Sequence, residues 1–467
     1  MLTKNINQLK LIQKNRLIYL LAVVLGLLIL FTTLSFYGFT AKAVFGIVSF
    51  IVSIFFTVLF FFKTFHPDIL KNPTQLLLME TVIFLMILLA ILFENTPSLP
   101  IAFFPAGAAG ILLTVLINPV TAGVSVFVVA VFVGILSGLS FNSFYVVLAG
   151  GIAAIYSSRH SRNRNDLNRS GLYIFGATAV ALISVQIISN EGLVSLGRDI
   201  AWSGGGALLS VMIASGALPI LESMFGVTTN IRLLELGDFN QPILKRMMLE
   251  APGSYHHSIM VGNLAENACE RVGANALLAR VGAYYHDIGK LKNPQYFIEN
   301  QIHLQDRHKN LTPNISALIL KRHVKDGLAL ADEYRLDQVV KDMIAEHHGT
   351  TLIEYFYKKV LEEASEDEDI DEKEYRYPGP RPRSKESGIL MLADSVEAAC
   401  RSLAEPTYSR LTAVVTRIIN NKFIDGQLNN CDLTLASLEA IQESFINTLA
   451  SMYHSRIEYP EDKEENH

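Results

Sequence analysis

From Leu17 to about Leu221, apolar stretches of roughly 17–20 residues follow one another with short polar breaks, each long enough to cross a hydrocarbon core about 30 Å thick. Eight spans are predicted, near 17–36, 43–62, 76–93, 99–117, 120–139, 141–157, 171–189 and 201–221. The Asn118-Pro119 break admits a second reading, in which one kinked or re-entrant element replaces two spans. Beyond residue 221 the pattern changes to a connector, with a short helix near 241–250 ended by Pro252-Gly253. From His257 onward apolar positions recur at helical spacing: Ile259, Val261, Leu264, Ala268 and Val272 share one face, and Gly273 is a stop. "NALLARVGAYYHDIGK" repeats this design with Leu277, Leu278, Val281 and Tyr285 on the packed side. Further helices are predicted at 312–332, 336–347, 351–364, 384–403, 408–425 and 434–454. No run alternates as a strand does, so the chain reads as all-α: a polytopic helical membrane domain followed by an all-helical domain.

Composition agrees with that division. Half of the 467 residues are hydrophobic and 18% are charged, with a mean hydropathy of +0.32, too apolar for an ordinary soluble protein. Lys4, Lys10, Lys14 and Arg16 precede the first span, Lys63 and Lys71 follow the second, and Arg159, Arg162, Arg164 and Arg169 follow the sixth, which places these loops and the C-terminal half in the cytoplasm. The first span is long and has no small-x-small cleavage site, so an uncleaved anchor is expected. Ionisable residues are scarce inside the spans, which argues against a transporter; Glu80 reads as interfacial. Cys269, Cys400 and Cys431 have neither disulfide nor metal-type spacing and are expected to be reduced. A net charge of -5 gives no sign of a nucleic-acid partner, while the acidic run at 362–374 and the tail read as solvated segments. The expected layout is 1–42, N-terminus and first span; 43–221, seven spans; 222–250, connector; 251–455, soluble domain; 456–467, acidic tail.

Eight of the twelve histidines lie between residues 256 and 348, a concentration that a packed helical core does not need. Divalent metals do need it, because imidazole and carboxylate hold such ions in hydrolytic sites. In chain order the candidate ligands are His257, His286, Asp287, His323, His347, His348 and Asp394. Seven ligands exceed what one ion holds, and an aspartate among histidines bridges two ions through its two oxygens; such a pair, about 3.5–4 Å apart, suits phosphoryl chemistry. If His286 and Asp287 both lie on a helix, they point about 100° apart and share a centre only where several helices converge at that helix's edge. Lys290, one helical turn beyond His286, is placed to donate to a phosphate oxygen.

The ordered set "HHS", "HDIGK", a lone histidine, "EHH" and "LADS" resembles the HD-domain phosphohydrolases. The longer phrases "LLELGDFNQPILKRMMLEAPGSYHHSIMV" and "YPGPRPRSKESGILMLADSVEAACRSL", with the multispan region, resemble the seven-transmembrane-receptor HD proteins, whose characterised members hydrolyse cyclic di-AMP. The resemblance runs from about residue 40 to 455. It implies a cytoplasmic HD domain in a bacterial inner membrane protein, opening cyclic di-AMP to linear pApA with two divalent ions, Mn2+ or Fe2+. It implies that His257, His286, Asp287 and Asp394 hold one ion and Asp287, His323, His347 and His348 the other, with Asp287 as the catalytic bridge. The family's ligand directly precedes the serine of "YHHS", which selects His257 over His256. The family carries a similar Asn- and His-containing loop along its substrate groove, which makes His303, His308 and Asn310 candidates there, although a lone loop histidine is more often plain surface. Arg381 and Arg383 are candidates for the second phosphate or for stacking on adenine. Family members carry a large extracytoplasmic sensor domain after the first span; here only "YGFTAK" joins the first span to the second.

Cyclic di-GMP is the competing substrate, but its HD enzymes carry a Gly-Tyr-Pro element where this chain reads "LKNPQYFIENQ". One-metal HD enzymes acting on other nucleotides lack counterparts of His323, His347 and His348. A non-catalytic receptor would have lost ligands, and none is missing. The expected partners are the dinucleotide and the lipid bilayer, with self-association into a homo-oligomer left open.

Overall fold

A computed structural model of the chain describes residues 21–453 except 22–23, 30, 34, 36–39, 97, 162, 190–192, 302–306 and 365–369. The N-terminal lysines, Arg16, parts of the first predicted span, Arg162, His303, residues 365–369 of the acidic run and the acidic tail lie outside the described residues. Among those described there is no strand; Leu352 and Arg376 form an isolated antiparallel bridge. The chain divides into two compact units, Met1–Ile231 and Arg232–His467.

In the first unit six helices are long and apolar enough to cross a membrane: Val44–Phe65, Pro73–Glu94, Pro119–Leu136, Phe141–Ser158, Arg164–Ser189 and Ser195–Phe225. Polar residues in three of the breaks, Asn72, Asn118 and Ser140, cap the helices that follow. The Asn118 side chain accepts the Thr121 N–H at 2.8 Å ahead of Pro119, so a new helix starts where the sequence left a kink open. The span predicted at 99–117 is not one continuous helix. It is a 3-10 turn, Ile101–Phe103, an extended step through Phe104 and Pro105, and a nine-residue helix, Ala108–Leu116, only about 13.5 Å long. Pro105 has no N–H to give and forces Phe104 into an extended conformation, which breaks the helix that hydropathy alone suggests. Apart from Val115 the short helix is buried throughout, so irregular backbone at this depth is shielded by protein. Glu80, expected at the interface, lies on the Pro73–Glu94 helix with one carboxylate oxygen buried and no hydrogen-bond partner among the described residues.

The second unit contains helices Pro242–Glu250, Pro252–Val272, Ala276–Tyr285, Pro313–Glu333, Gln338–Glu346, Glu354–Glu363, Lys385–Arg401, Tyr408–Ile424 and Leu435–Tyr453. Two large apolar clusters and a smaller one around Ala317, Ile353, Phe356 and Tyr375 hold it together. Of the large two, one joins Val261, Leu264, Leu392, Val396, Val415 and Phe445; the other joins Met247, Val281, Tyr285, Ile288, Leu330 and Ile344. The Ala276–Tyr285 helix belongs to both, giving Ala279 and Ala283 to the first and Val281 and Tyr285 to the second. Each pair is four residues apart, so each cluster takes one stripe of a helix that is buried on both sides.

That helix ends earlier than its periodicity predicts. It stops at Tyr285; His286 caps it, and Asp287 (φ -106°, ψ 12°) leads into a 3-10 turn, Ile288–Lys292. The reason lies at Gly289. A Cβ there would sit 1.8 Å from the carbonyl oxygen of His323 and 2.5 Å from the backbone nitrogen of Gly327, so only glycine lets this turn lie against the Pro313–Glu333 helix.

Candidate metal centre

Five segments deliver the predicted ligands to one buried point. His257 comes from the Pro252–Val272 helix, His286 and Asp287 from the helix end described above, His323 from Pro313–Glu333, His347 and His348 from the end of Gln338–Glu346, and Asp394 from Lys385–Arg401. His286 Nε2 lies 3.2 Å and His257 Nε2 3.7 Å from Asp287 Oδ2, while His257 Nε2 is 3.1 Å from Asp394 Oδ1. On the other side of the aspartate, His323 Nε2 is 3.4 Å and His347 Nε2 3.9 Å from Oδ1, and the two ring nitrogens are 3.2 Å apart. The ligand atoms of His257, His286 and Asp394 fall within 4.8 Å of one another, as do those of His323, His347 and His348. Each oxygen of Asp287 thus faces a different ligand group. The helix-edge convergence reasoned from the sequence is replaced by a break in the helix, which frees the pair from the 100° constraint.

The imidazoles are aimed from behind. His286, His323 and His347 donate Nδ1–H to the carbonyls of Ala283, Leu320 and Ile344, at 2.6, 2.5 and 2.8 Å, each three residues back. His257 donates Nδ1–H to Glu397. When these four rings are neutral, that leaves each Nε2 with its lone pair toward the centre, the arrangement that metal-binding histidines require. His286 is fully buried and Asp287 is 1% exposed, yet His286 Nε2 and Asp287 Oδ1 have no hydrogen-bond partner among the described residues. A packed core satisfies such atoms. The donor set therefore fits two divalent ions sharing Asp287.

Electrostatics point the same way. Burial, reinforced by the neighbouring rings of His286 and His323, lowers His347 to about 3, and burial keeps His323 and His348 below the usual imidazole range as well. Burial also opposes a charge on Asp287 and Asp394, but the surrounding cations and donors outweigh it and hold both well below the ordinary carboxylate value. Neutral imidazoles and ionised carboxylates are the ligand forms of these residues. His257 and His286 are the counterexamples: burial is overcome at His257 by its hydrogen bonds to Asp394 and Glu397, which raise it, and at His286 by Asp287 and Asp394, which raise it to about 10 in the metal-free chain.

Lys290 reaches 2.6 Å from both Asp287 Oδ2 and Glu299 Oε1, so its ammonium is held between two carboxylates rather than free for phosphate. Glu299 also accepts from Ser254 Oγ at 2.9 Å. Gly253 makes that approach feasible, since a Cβ there would lie 1.8 Å from the Glu299 carbonyl oxygen.

The centre opens into a cavity of about 650 Å³, whose lining includes His257, Lys290, His308, His323, His348 and Asp394, the aromatic rings of Tyr296, Phe297, Tyr355, Phe356 and Tyr377, and Arg401. His308 is on this wall, its Nε2 donating to the Tyr296 carbonyl at 2.8 Å. Asn310 and His256 are exposed. Arg381 and Arg383 are engaged elsewhere. Arg381 Nε donates to Thr350 Oγ1 at 3.0 Å, and Arg383 pairs with Glu346, a buried carboxylate that also takes Ser387 Oγ at 2.8 Å. The demand of a buried charge for donors explains where Arg383 goes. Sequence reasoning passed over Glu397, Glu299 and Arg401. Glu397 was within reach, because it stands three residues after Asp394 and hence on the same helix face; the contacts of Glu299 depend on tertiary packing.

Residues 41–229 match the family described as 7TM receptor with intracellular HD hydrolase, and residues 254–399 match the HD domain. The chain is 37% identical over 414 residues to the cyclic-di-AMP phosphodiesterase PgpH of Listeria monocytogenes, covering 86% of this chain and 56% of that protein. It is 36% identical over 428 residues to PgpH of Bacillus subtilis, covering 88% and 59%. It therefore spans a little over half the length of these curated relatives. The crystal structure of the L. monocytogenes PgpH HD domain in complex with cyclic-di-AMP is 47% identical, covers 47% of this chain and 100% of that one, and has a TM-score of 0.44.

Proposed function

The chain belongs to the family of 7TM receptors with an intracellular HD hydrolase, and from that premise we propose that it is a membrane-embedded phosphodiesterase that opens cyclic di-AMP to linear pApA. One observation carries the reading: two groups of metal-ligating atoms share a buried aspartate at the floor of a cavity of about 650 Å³ with aromatic walls. That volume lies within the range of small-molecule sites. The relatives named as cyclic-di-AMP phosphodiesterases support the adenine dinucleotide.

His257, His286, Asp287 and Asp394 would hold one divalent ion, and Asp287, His323, His347 and His348 the other; Mn2+ and Fe2+ suit this mixture of imidazole and carboxylate. Bound there, such ions neutralise charge on the phosphate and acidify water. The rest is done by the chain. Asp287 stays ionised and keeps the two ligand groups in register. The carbonyls of Ala283, Leu320 and Ile344 fix the rings, so that no reorientation is needed when substrate arrives. Lys290, held between Asp287 and Glu299 at the cavity wall, anchors the shared aspartate. Tyr296, Tyr355 and Tyr377 provide flat apolar surface for the purines.

The HD unit lies on the cytoplasmic side in this reading. The loops carrying Lys63 and Lys71 and those carrying Arg159, Arg164 and Arg169 share one side only if the broken segment 101–116 counts as a crossing.

The test is hydrolysis of cyclic di-AMP and cyclic di-GMP, side by side, by the full chain in detergent with added Mn2+, with Asp287→Ala as control. Selective conversion of cyclic di-AMP to pApA, abolished by chelator and in the control, supports the reading. Preference for the guanine dinucleotide reassigns the substrate. Turnover of neither by folded, metal-loaded protein refutes the phosphodiesterase assignment.

A further inference from the structure

Along one wall of the cavity the Lys385–Arg401 helix contributes Asp394, Ser395, Ala398 and Arg401. These positions follow the spacing of a single helical face, so the wall runs unbroken from a metal ligand to a guanidinium two turns away. Seven residues at 1.5 Å each separate Asp394 and Arg401 by about 10 Å along the axis. Lys290, the cation at the other end of the cavity, is neutralised by Asp287 and Glu299. Arg401 is exposed, and among the described residues its side chain makes no ion pair or hydrogen bond. A basic residue in the last turn suits the helix dipole, but the dipole does not explain why it stands on the cavity wall.

We propose that Arg401 receives the second, uncleaved phosphate of a cyclic dinucleotide and so selects diesters that carry two phosphates over those that carry one. This inference rests on the function proposed above. A cyclic dinucleotide is a ring with two phosphodiesters on opposite sides; with one at the metal ligands, the other is displaced across the cavity, and no free cation at the metal end is available to meet it. A guanidinium offers a planar pair of N–H groups that matches two phosphate oxygens, with little desolvation to overcome at an open position. Arg381 and Arg383, which the sequence suggests for this task, are committed to Thr350 and Glu346.

The experiment compares the full chain in detergent with Mn2+, as wild type, Arg401→Ala and Arg401→Lys, on cyclic di-AMP and on bis(p-nitrophenyl) phosphate, a diester with a single phosphate. Arg401→Ala is expected to raise KM for cyclic di-AMP at least about tenfold with kcat little changed, and to lower the ratio of kcat/KM for the dinucleotide over the small ester by a similar factor. Lysine, which keeps the charge but not the fork, restores part of that ratio. Unchanged KM for the dinucleotide, or a proportional loss on both substrates, overturns the inference. A wild-type chain that cleaves the small ester but no cyclic dinucleotide overturns the functional reading itself, and this inference with it.

Discussion

Gly289→Ala places one methyl group where the structure has no room. The new Cβ would lie 1.8 Å from the His323 carbonyl oxygen, whereas 3.0 Å is the least that real Cβ atoms accept, so the 3-10 turn and the Pro313–Glu333 helix must separate by at least about 1.2 Å. His323 Nε2 and Asp287 Oδ1 are now 3.4 Å apart. Opened along that line, they stand about 4.6 Å apart, beyond the roughly 4.2 Å that one ion with bonds of about 2.1 Å can bridge. The expected outcome is loss of the ion shared by Asp287, His323, His347 and His348, while the ion beside His257 and Asp394 is kept. Elemental analysis of the purified, Mn2+-loaded chain should give close to one ion instead of two. Activity should fall by about a hundredfold, as a misplacement near 1 Å commonly causes. Overpacking of this kind costs about 1–3 kcal/mol, so the thermal transition should drop without the fold being lost. Two ions per chain together with wild-type turnover would refute the argument that this glycine sets the spacing between the ligand groups.

Glu397→Gln weakens the acceptor behind His257 Nδ1 and should reduce metal affinity about 10–100-fold in chelator competition; unchanged affinity would mean that the contact does not orient the ligand. Glu299→Gln removes one of the two carboxylates holding Lys290 and should lower kcat about tenfold with little change in KM, whereas a change confined to KM would place Lys290 in substrate binding alone. In the chelated protein His347 is depressed from 6.5 to about 3, so the unfolded chain binds the extra proton and stability declines as pH falls below 6.5. At pH 5 that is about 2 kcal/mol from His347, with His323 and His348 adding in the same direction. The raised His257 and His286 are already at full effect below 6.5, and the depressed Asp287 and Asp394 keep theirs at pH 5. The thermal transition, followed by tyrosine fluorescence, should therefore fall from pH 7 to 5, and fall less in His347→Gln; equal declines would contradict the burial argument.

Where local signals specify structure, the sequence is sufficient. The helix predicted at 384–403 appears as Lys385–Arg401 because Ser384 and Ser387 cap each other's backbone, and Asn118-Pro119 starts a helix because asparagine caps it and proline tolerates the first turn. The ligand types and their order were legible for a similar reason: few uses exist for eight histidines in under a hundred residues. The helix break at Tyr285 was not legible, because "NALLARVGAYYHDIGK" keeps helical periodicity past the point where Gly289 must meet the His323 backbone. Nor was the interruption within 101–116, where window hydropathy averages over Pro105. The arginines show the limit most plainly. Spacing gives no way to rank Arg381, Arg383 and Arg401, and their places depend on Thr350, Glu346 and the face of one helix. Amino-acid order by itself determined the membrane-spanning half, the helical soluble half and the set of candidate metal ligands, since periodic burial and ligand chemistry are local properties. Only the tertiary structure decided which oxygen of Asp287 faces which histidines and which cation meets the cavity. His257 and Asp394 are 137 residues apart, and contacts at such separation follow from packing rather than from any pattern along the chain.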